Sequence, residues 1–164
     1  MKTIPTEFEV YHKLIDLLTS NGWSIICSSP PGGTDNRYRK CILPRRDIGG
    51  SEKGPRDEVD LTATHRNTIL LVECKPRLSA SLTQLNALME SDYQKLKRIM
   101  RSFSPVELSS LLARTTDMIL PENPQVELAL AVGLADSPRP SDINVFEFAT
   151  DQPRIWSVHG LMLN

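Results

Sequence analysis

Two apolar runs most constrain what this chain can become. Residues 69–74 read Ile-Leu-Leu-Val-Glu-Cys, and residues 125–134 contain Val-Glu-Leu-Ala-Leu-Ala-Val-Gly-Leu. A strand with one wet face alternates apolar and polar, whereas the first run is apolar on both faces and belongs in the middle of a sheet; the second is a further strongly apolar strand. Residues 58–64, Glu-Val-Asp-Leu-Thr-Ala-Thr, do alternate at period two, and 65–68 supplies a turn, so 58–64 and 69–75 form a hairpin that Pro76 stops.

Helical patterns surround these strands. Residues 7–20 form an amphipathic helix in which Thr6 is the N-cap and Glu9 takes the capping-box position. Phe8, Val10, Tyr11, Leu14, Ile15, Leu17 and Leu18 line its apolar face. Asn21-Gly22 ends it, and 23–28 is a first strand. Residues 79–103 carry apolar side chains at spacings of three and four (Leu82, Leu85, Met89, Tyr93, Leu96, Met100, Phe103), which predicts one long helix. Ser104-Pro105-Val106-Glu107 opens a second, short helix to about Arg114. Residues 144–150 and 154–158 complete the chain as a strand pair. A mixed α/β sheet in one domain, over residues 1–164, is the expected fold.

Segment 30–56 is rich in Pro, Gly and charge, with 38–43 as a short strand inside it. A loop of that length is usually functional or disordered. Arg37, Arg39, Lys40, Arg45, Arg46, Lys53 and Arg56 stand there against Asp47 and Glu52, a net charge of +5 between 37 and 56. Residues 117–151 hold seven acids and one base. The chain's net charge of −1 therefore conceals a basic segment able to meet phosphates, with Arg37, Arg39, Lys40, Arg45 and Arg46 as candidate nucleic-acid contacts.

Three cysteines without a CxxC spacing argue against a disulfide framework, and three scattered histidines (His12, His65, His159) give little support for a transition-metal site. No apolar run is long enough to cross a bilayer, and residues 1–5 lack the apolar core of a secretory signal. A cytoplasmic location is the expectation.

The chemical signal lies in the hairpin. Asp60 sits early in one strand and Glu73 late in its partner, so antiparallel pairing brings them to the same end. Glu73 and Lys75, two apart, share a face. Two close carboxylates repel each other until a proton or cation neutralises one, and hard oxygen ligands suit Mg²⁺.

The segment Asp57–Lys75, DEVDLTATHRNTILLVECK, resembles the catalytic hairpin of the PD-(D/E)XK nucleases. Val59 stands where the name-giving proline would be. The resemblance implies a restriction-endonuclease-like sheet, in the core order helix-strand-strand-strand-helix-strand. It also implies a metal-dependent endodeoxyribonuclease acting on duplex DNA as a homodimer, with Mg²⁺ or Mn²⁺ as cofactor. On that pattern Asp60, Glu73 and Cys74 form the metal set, and Lys75 is the catalytic lysine. Members often add a carboxylate from the first helix. Phase favours Glu7, which lies in the apolar face, while Glu9 faces water and caps. The alternative is a catalytically silent domain that binds nucleic acid or protein.

Overall fold

The computed structural model describes residues 3–48, 54–84, 89–161 and 163. The apolar run at 69–74 becomes the centre of β5 (Thr68–Arg77). This strand lies between β4 (Leu61–His65), antiparallel, and β6 (Gln125–Leu134), parallel. Its side chains alternate between two layers, as a doubly covered strand requires. Ile69 and Leu71 join one core; Leu70, Val72 and Cys74 join the other. The full sheet runs β1 (Ser24–Ser28), β4, β5, β6, β7 (Asn144–Glu147), β8 (Arg154–Trp156). Only its middle, β5-β6-β7, is parallel. A separate two-stranded ribbon pairs β2 (Ile42–Pro44) with β3 (Arg56–Glu58).

Helix α1 (Glu7–Ser20) covers one face of the sheet and buries Val10, Tyr11, Leu14, Ile15 and Leu18. Beneath it β6 presents Ala129 and Ala131, small enough for the helix to sit close. The reciprocal Thr6–Glu9 box caps α1, and Gly22 closes it in the left-handed region at φ 84°. Phe8, assigned above to the apolar face, is 52% exposed. The other face is covered by α3 (Asp92–Ser102) and α4 (Pro105–Thr116), through Leu96, Ile99, Leu108, Leu111 and Leu112. The architecture is thus α/β, a mixed six-stranded sheet between helices.

Four local expectations need correction. The predicted helix over 79–103 is divided. α2 (Leu78–Leu82) ends at Thr83 in extended backbone, and α3 starts afresh where Ser91 and Gln94 cap each other. Residues 85–88, and with them Leu85, lie outside the described residues, and Met89 is 52% exposed. Pro76 does not stop β5, which continues to Arg77. Pairing with β4 ends at Val72, so one flank of the strand is an edge that can host a residue without an N–H. On the other flank stands Gly133, where a Cβ would come within 2.8 Å of the Pro76 oxygen and 2.9 Å of the Pro5 oxygen. The short strand expected at 38–43 falls at Ile42–Pro44.

The fourth correction concerns the cysteines: Cys27 and Cys41 form a disulfide. It joins the end of β1 to the approach to β2, which lie side by side because the Arg39 oxygen accepts a hydrogen bond from the Ser28 amide at 2.8 Å. Segment 30–56 is accordingly folded over its described residues, with a 3-10 turn at Arg46–Ile48; residues 49–53 lie outside them. Among the described residues no helix is long and apolar enough to cross a membrane.

Candidate functional site

The end of β5 that runs past β4 holds the acids. Asp60 lies in a bend just before β4, not within a strand, and faces the last residues of β5. Its Oδ2 accepts a hydrogen bond from the Cys74 amide at 2.7 Å, and its own amide donates to Glu73 Oε2 at 3.3 Å. The two carboxylates are thereby locked to each other's backbone. Their flanks are fixed by further bonds: the Ser29 amide donates to the Asp60 oxygen (2.9 Å), and the Val59 amide to the Cys41 oxygen (3.0 Å).

Lys75 stands two residues beyond Glu73 and reaches Glu7 Oε1 of α1 at 3.4 Å and Asp92 Oδ2 of α3 at 3.9 Å. Glu7, Asp60, Glu73 and Lys75 are therefore brought together from α1, the β4 approach and β5. Glu9 stays on the solvent side with its capping role. Cys74 is different. Its thiol points into the apolar layer under α1, fully buried among Val10, Leu14 and Val72, and burial pushes its pKa well above the ordinary thiol value. Only its backbone faces the acids, so the sulfur is not available as a metal ligand.

Two residues were not singled out from the sequence. Asp92, the first residue of α3, and Lys95, one turn on, both face the cluster, and Lys95 forms an ion pair with Glu73 Oε1. Arg98, the next turn, makes a bidentate pair with buried Asp57 (2.8 Å on each arm) and also bonds Glu90. The signal was present as Asp-x-x-Lys-x-x-Arg, a polar stripe at spacing three beside the apolar stripe of Leu96, Ile99 and Phe103.

Electrostatics follow from burial. Glu73 is 2% exposed, and desolvation followed by repulsion from Asp60 raises its pKa well above the usual carboxylate range. Asp60 is raised too, chiefly by burial. Burial and then the Glu73 charge push Asp92 up to about 7. For Lys75 burial opposes the charged form, but Asp92 and Glu7 outweigh it and raise the pKa. Lys95 behaves likewise, with Glu73 outweighing burial. Glu73 Oε1 and Asp92 Oδ2 are buried and accept no hydrogen bond; their compensation is ionic, from Lys95 and Lys75.

The basic segment departs from expectation. Arg37 pairs with Asp35, Arg39 with Asp117, Lys40 with Glu58, Arg45 with Asp47, and Arg46 with Glu107. Summing charge over 37–56 counted Asp47 but missed the other four acids, which lie outside that segment. Arg37, Arg39 and Lys40 keep more than half their side chain in solvent.

Among the described residues no three His, Cys, Asp or Glu side chains form a grouping that could hold a metal ion as it stands. Comparison with protein-family models, with curated proteins and with solved structures gave no match to this chain.

Proposed function

We propose that this chain is a metal-dependent nuclease of the PD-(D/E)XK kind, hydrolysing phosphodiester bonds in duplex DNA. The observation that carries the reading is a charge imbalance. Four carboxylates (Glu7, Asp60, Glu73, Asp92) meet two ammonium groups (Lys75, Lys95), and three of the acids are held so that ionisation is disfavoured. With all four acids ionised the cluster would carry two uncompensated negative charges, which a divalent cation would offset and so favour their ionised forms. The donors are hard oxygens, and the Glu73 oxygen that accepts no hydrogen bond is one such donor. Asp60 and Glu73 would hold the ion, with the Lys95 ammonium moving off Glu73 to admit it. Bound there, a divalent ion polarises a phosphodiester and lowers the pKa of water.

The chain's own residues supply the remainder. Lys75, held between Glu7 and Asp92, keeps its proton and places positive charge where a pentacovalent phosphate would build negative charge. The order α1, β1, β4, β5, helices, β6 supports the restriction-endonuclease-like arrangement, with the β2–β3 ribbon inserted. Exposed ion pairs contribute about 0–1 kcal/mol each, so phosphates can displace Asp117 from Arg39 or Glu58 from Lys40.

One observation favours a second reading. Lys95 already stands against Glu73, as an ammonium would in a domain that binds nucleic acid or protein without cutting. Incubation of chelator-stripped protein with plasmid DNA separates the two. The nuclease reading expects cleavage on adding Mg²⁺ or Mn²⁺, falling about 10²–10⁴-fold in Asp60→Asn. No cleavage with either metal, or equal rates in Asp60→Asn, would leave the binding domain.

A further inference from the structure

Helix α3 carries Lys95, Arg98 and Arg101 at spacing three. A step of three residues falls about 60° short of a full turn, so these charges wind round the helix. Lys95 faces the acid cluster, Arg98 faces the β2–β3 ribbon through Asp57, and Arg101 stands exposed. At a rise of about 1.5 Å per residue, Arg101 lies about 9 Å along the axis from Lys95.

At this end of α3 a cleft of about 470 Å³ is lined by Arg46, Asp47, Arg98, Arg101 and Ser102. Three guanidinium groups thus face one carboxylate, and Asp47 is already engaged by Arg45. Arg46 is fixed over the Phe103 ring, its guanidinium carbon 4.4 Å from the centroid. The other carboxylates paired with these arginines, Asp57, Glu90 and Glu107, do not line the cleft.

Each arginine has donors to offer. The Arg101 side chain makes no hydrogen bond or ion pair among the described residues. Arg46 is paired with Glu107, but both side chains are nearly half exposed, and a pair of that kind exchanges readily for a phosphate. Arg98 is 9% exposed and has five N–H groups to satisfy. Nε and one proton of Nη2 go to Glu90; one proton each of Nη1 and Nη2 goes to Asp57. For the fifth, on Nη1, Asp47 Oδ1 at 3.8 Å is too far for a hydrogen bond.

The helix dipole favours a base in the last turn, which accounts for Arg101 alone. It does not account for guanidiniums gathered round one cleft from α3 and from the 3-10 turn at Arg46–Ile48. Arg101 also lines a second cleft, of about 540 Å³, together with Lys97. Two clefts that meet at one arginine fit an extended polyanion better than a small anion.

We infer that this end of α3 is a docking surface for the phosphate backbone of duplex DNA, contacted by Arg46 and Arg101 and backed by Arg98. The inference rests on the nuclease reading, which supplies the partner. Continuity supports it, because the helix that carries Arg101 also brings Lys95 to the acid cluster. The span of about 9 Å between them equals about two to three nucleotide steps of one strand. Contacts of this kind hold the duplex in register without reading its sequence.

The test is fluorescence anisotropy of a short labelled duplex with the full chain in chelator, where nothing is cut, across a range of salt. Each lost phosphate contact flattens the plot of log affinity against log salt by about 0.9, so Arg46→Ala with Arg101→Ala should flatten it by about 1.8. The deficit in affinity should then be about tenfold larger at about 50 mM salt than at about 200 mM. Arg101→Ala alone removes no bond among the described residues, so it should melt with the parent and give about half of that flattening. Lys13→Ala, on α1 across the sheet, should leave the plot unchanged. A double variant with the parent's slope, or a parent that does not bind the duplex, would overturn the inference. Plasmid cleavage by the parent in Mg²⁺ is scored separately. Cleavage with an unchanged slope removes the surface and keeps the nuclease reading; a flattened slope without cleavage keeps the surface and removes the nuclease.

Discussion

Asp92→Asn isolates the energetic consequence of packing acids at the end of β5. The carboxyl of Asp92 rises from 3.8 to about 7 because it is buried and faces Glu73. A folded-state pKa raised above the unfolded value means that the folded chain binds the proton more tightly. Stability is then fullest below about pH 4, where both states are protonated, and declines as pH rises through about 7. A shift of about three units at about 1.4 kcal/mol each corresponds to about 4 kcal/mol lost by pH 8. Asparagine has nearly the shape of the protonated acid and never acquires the charge. It forgoes the favourable position of an acid in the first turn of α3, about 0.3–1 kcal/mol. The variant should therefore match the parent near pH 4 and exceed it by about 3 kcal/mol at pH 8. Lys75 keeps Glu7 as a partner, so the substitution leaves no uncompensated ammonium. Urea unfolding in chelator at several pH values, with unchanged m, measures the difference. A gap between the two proteins that stays constant from pH 4 to 8, or a parent more stable at pH 8, would refute the reasoning.

Two other substitutions probe neighbouring features. Arg98→Met leaves Asp57 buried without its bidentate partner and should cost about 3–5 kcal/mol in denaturant unfolding; a loss below 1 kcal/mol would mean that Asp57 is rehydrated. Glu7→Gln should lower Mg²⁺-dependent cleavage about 10²–10⁴-fold, while Glu9→Gln, still able to close the capping box, should change it little. Equal cleavage by the two variants would remove α1 from the site.

Legibility from sequence followed the range of the interaction. Asp60, Glu73 and Lys75 could be placed because hairpin pairing and period-two alternation are local rules, and both operate here. Glu7 could be separated from Glu9 by helical phase, although the exposed Phe8 shows that phase alone misjudges a first turn. Asp92 and Lys95 were hidden because the continuous apolar stripe over 79–103 masked the new start at Ser91, and nothing local says which strand end a helix will overlie. The Cys27–Cys41 pair depends on β1 lying beside the segment that follows it, so an odd cysteine count carried no information. The partners of the arginines, Glu107 and Asp117, belong to α4 and its C-cap, distant in sequence from the residues they neutralise.

The strict alternation of β5 has a consequence for how the length of this chain can vary. Ile69 and Leu71 face α3 and α4, while Leu70, Val72 and Cys74 face α1. Loss or gain of one residue between Thr68 and Glu73 would exchange the two sets downstream of the change. Glu73 and Lys75 would be driven into the layer of Tyr11 and Leu14, and the Cys74 thiol would take the place of a carboxylate beside Asp60. Insertions and deletions are therefore barred from this strand.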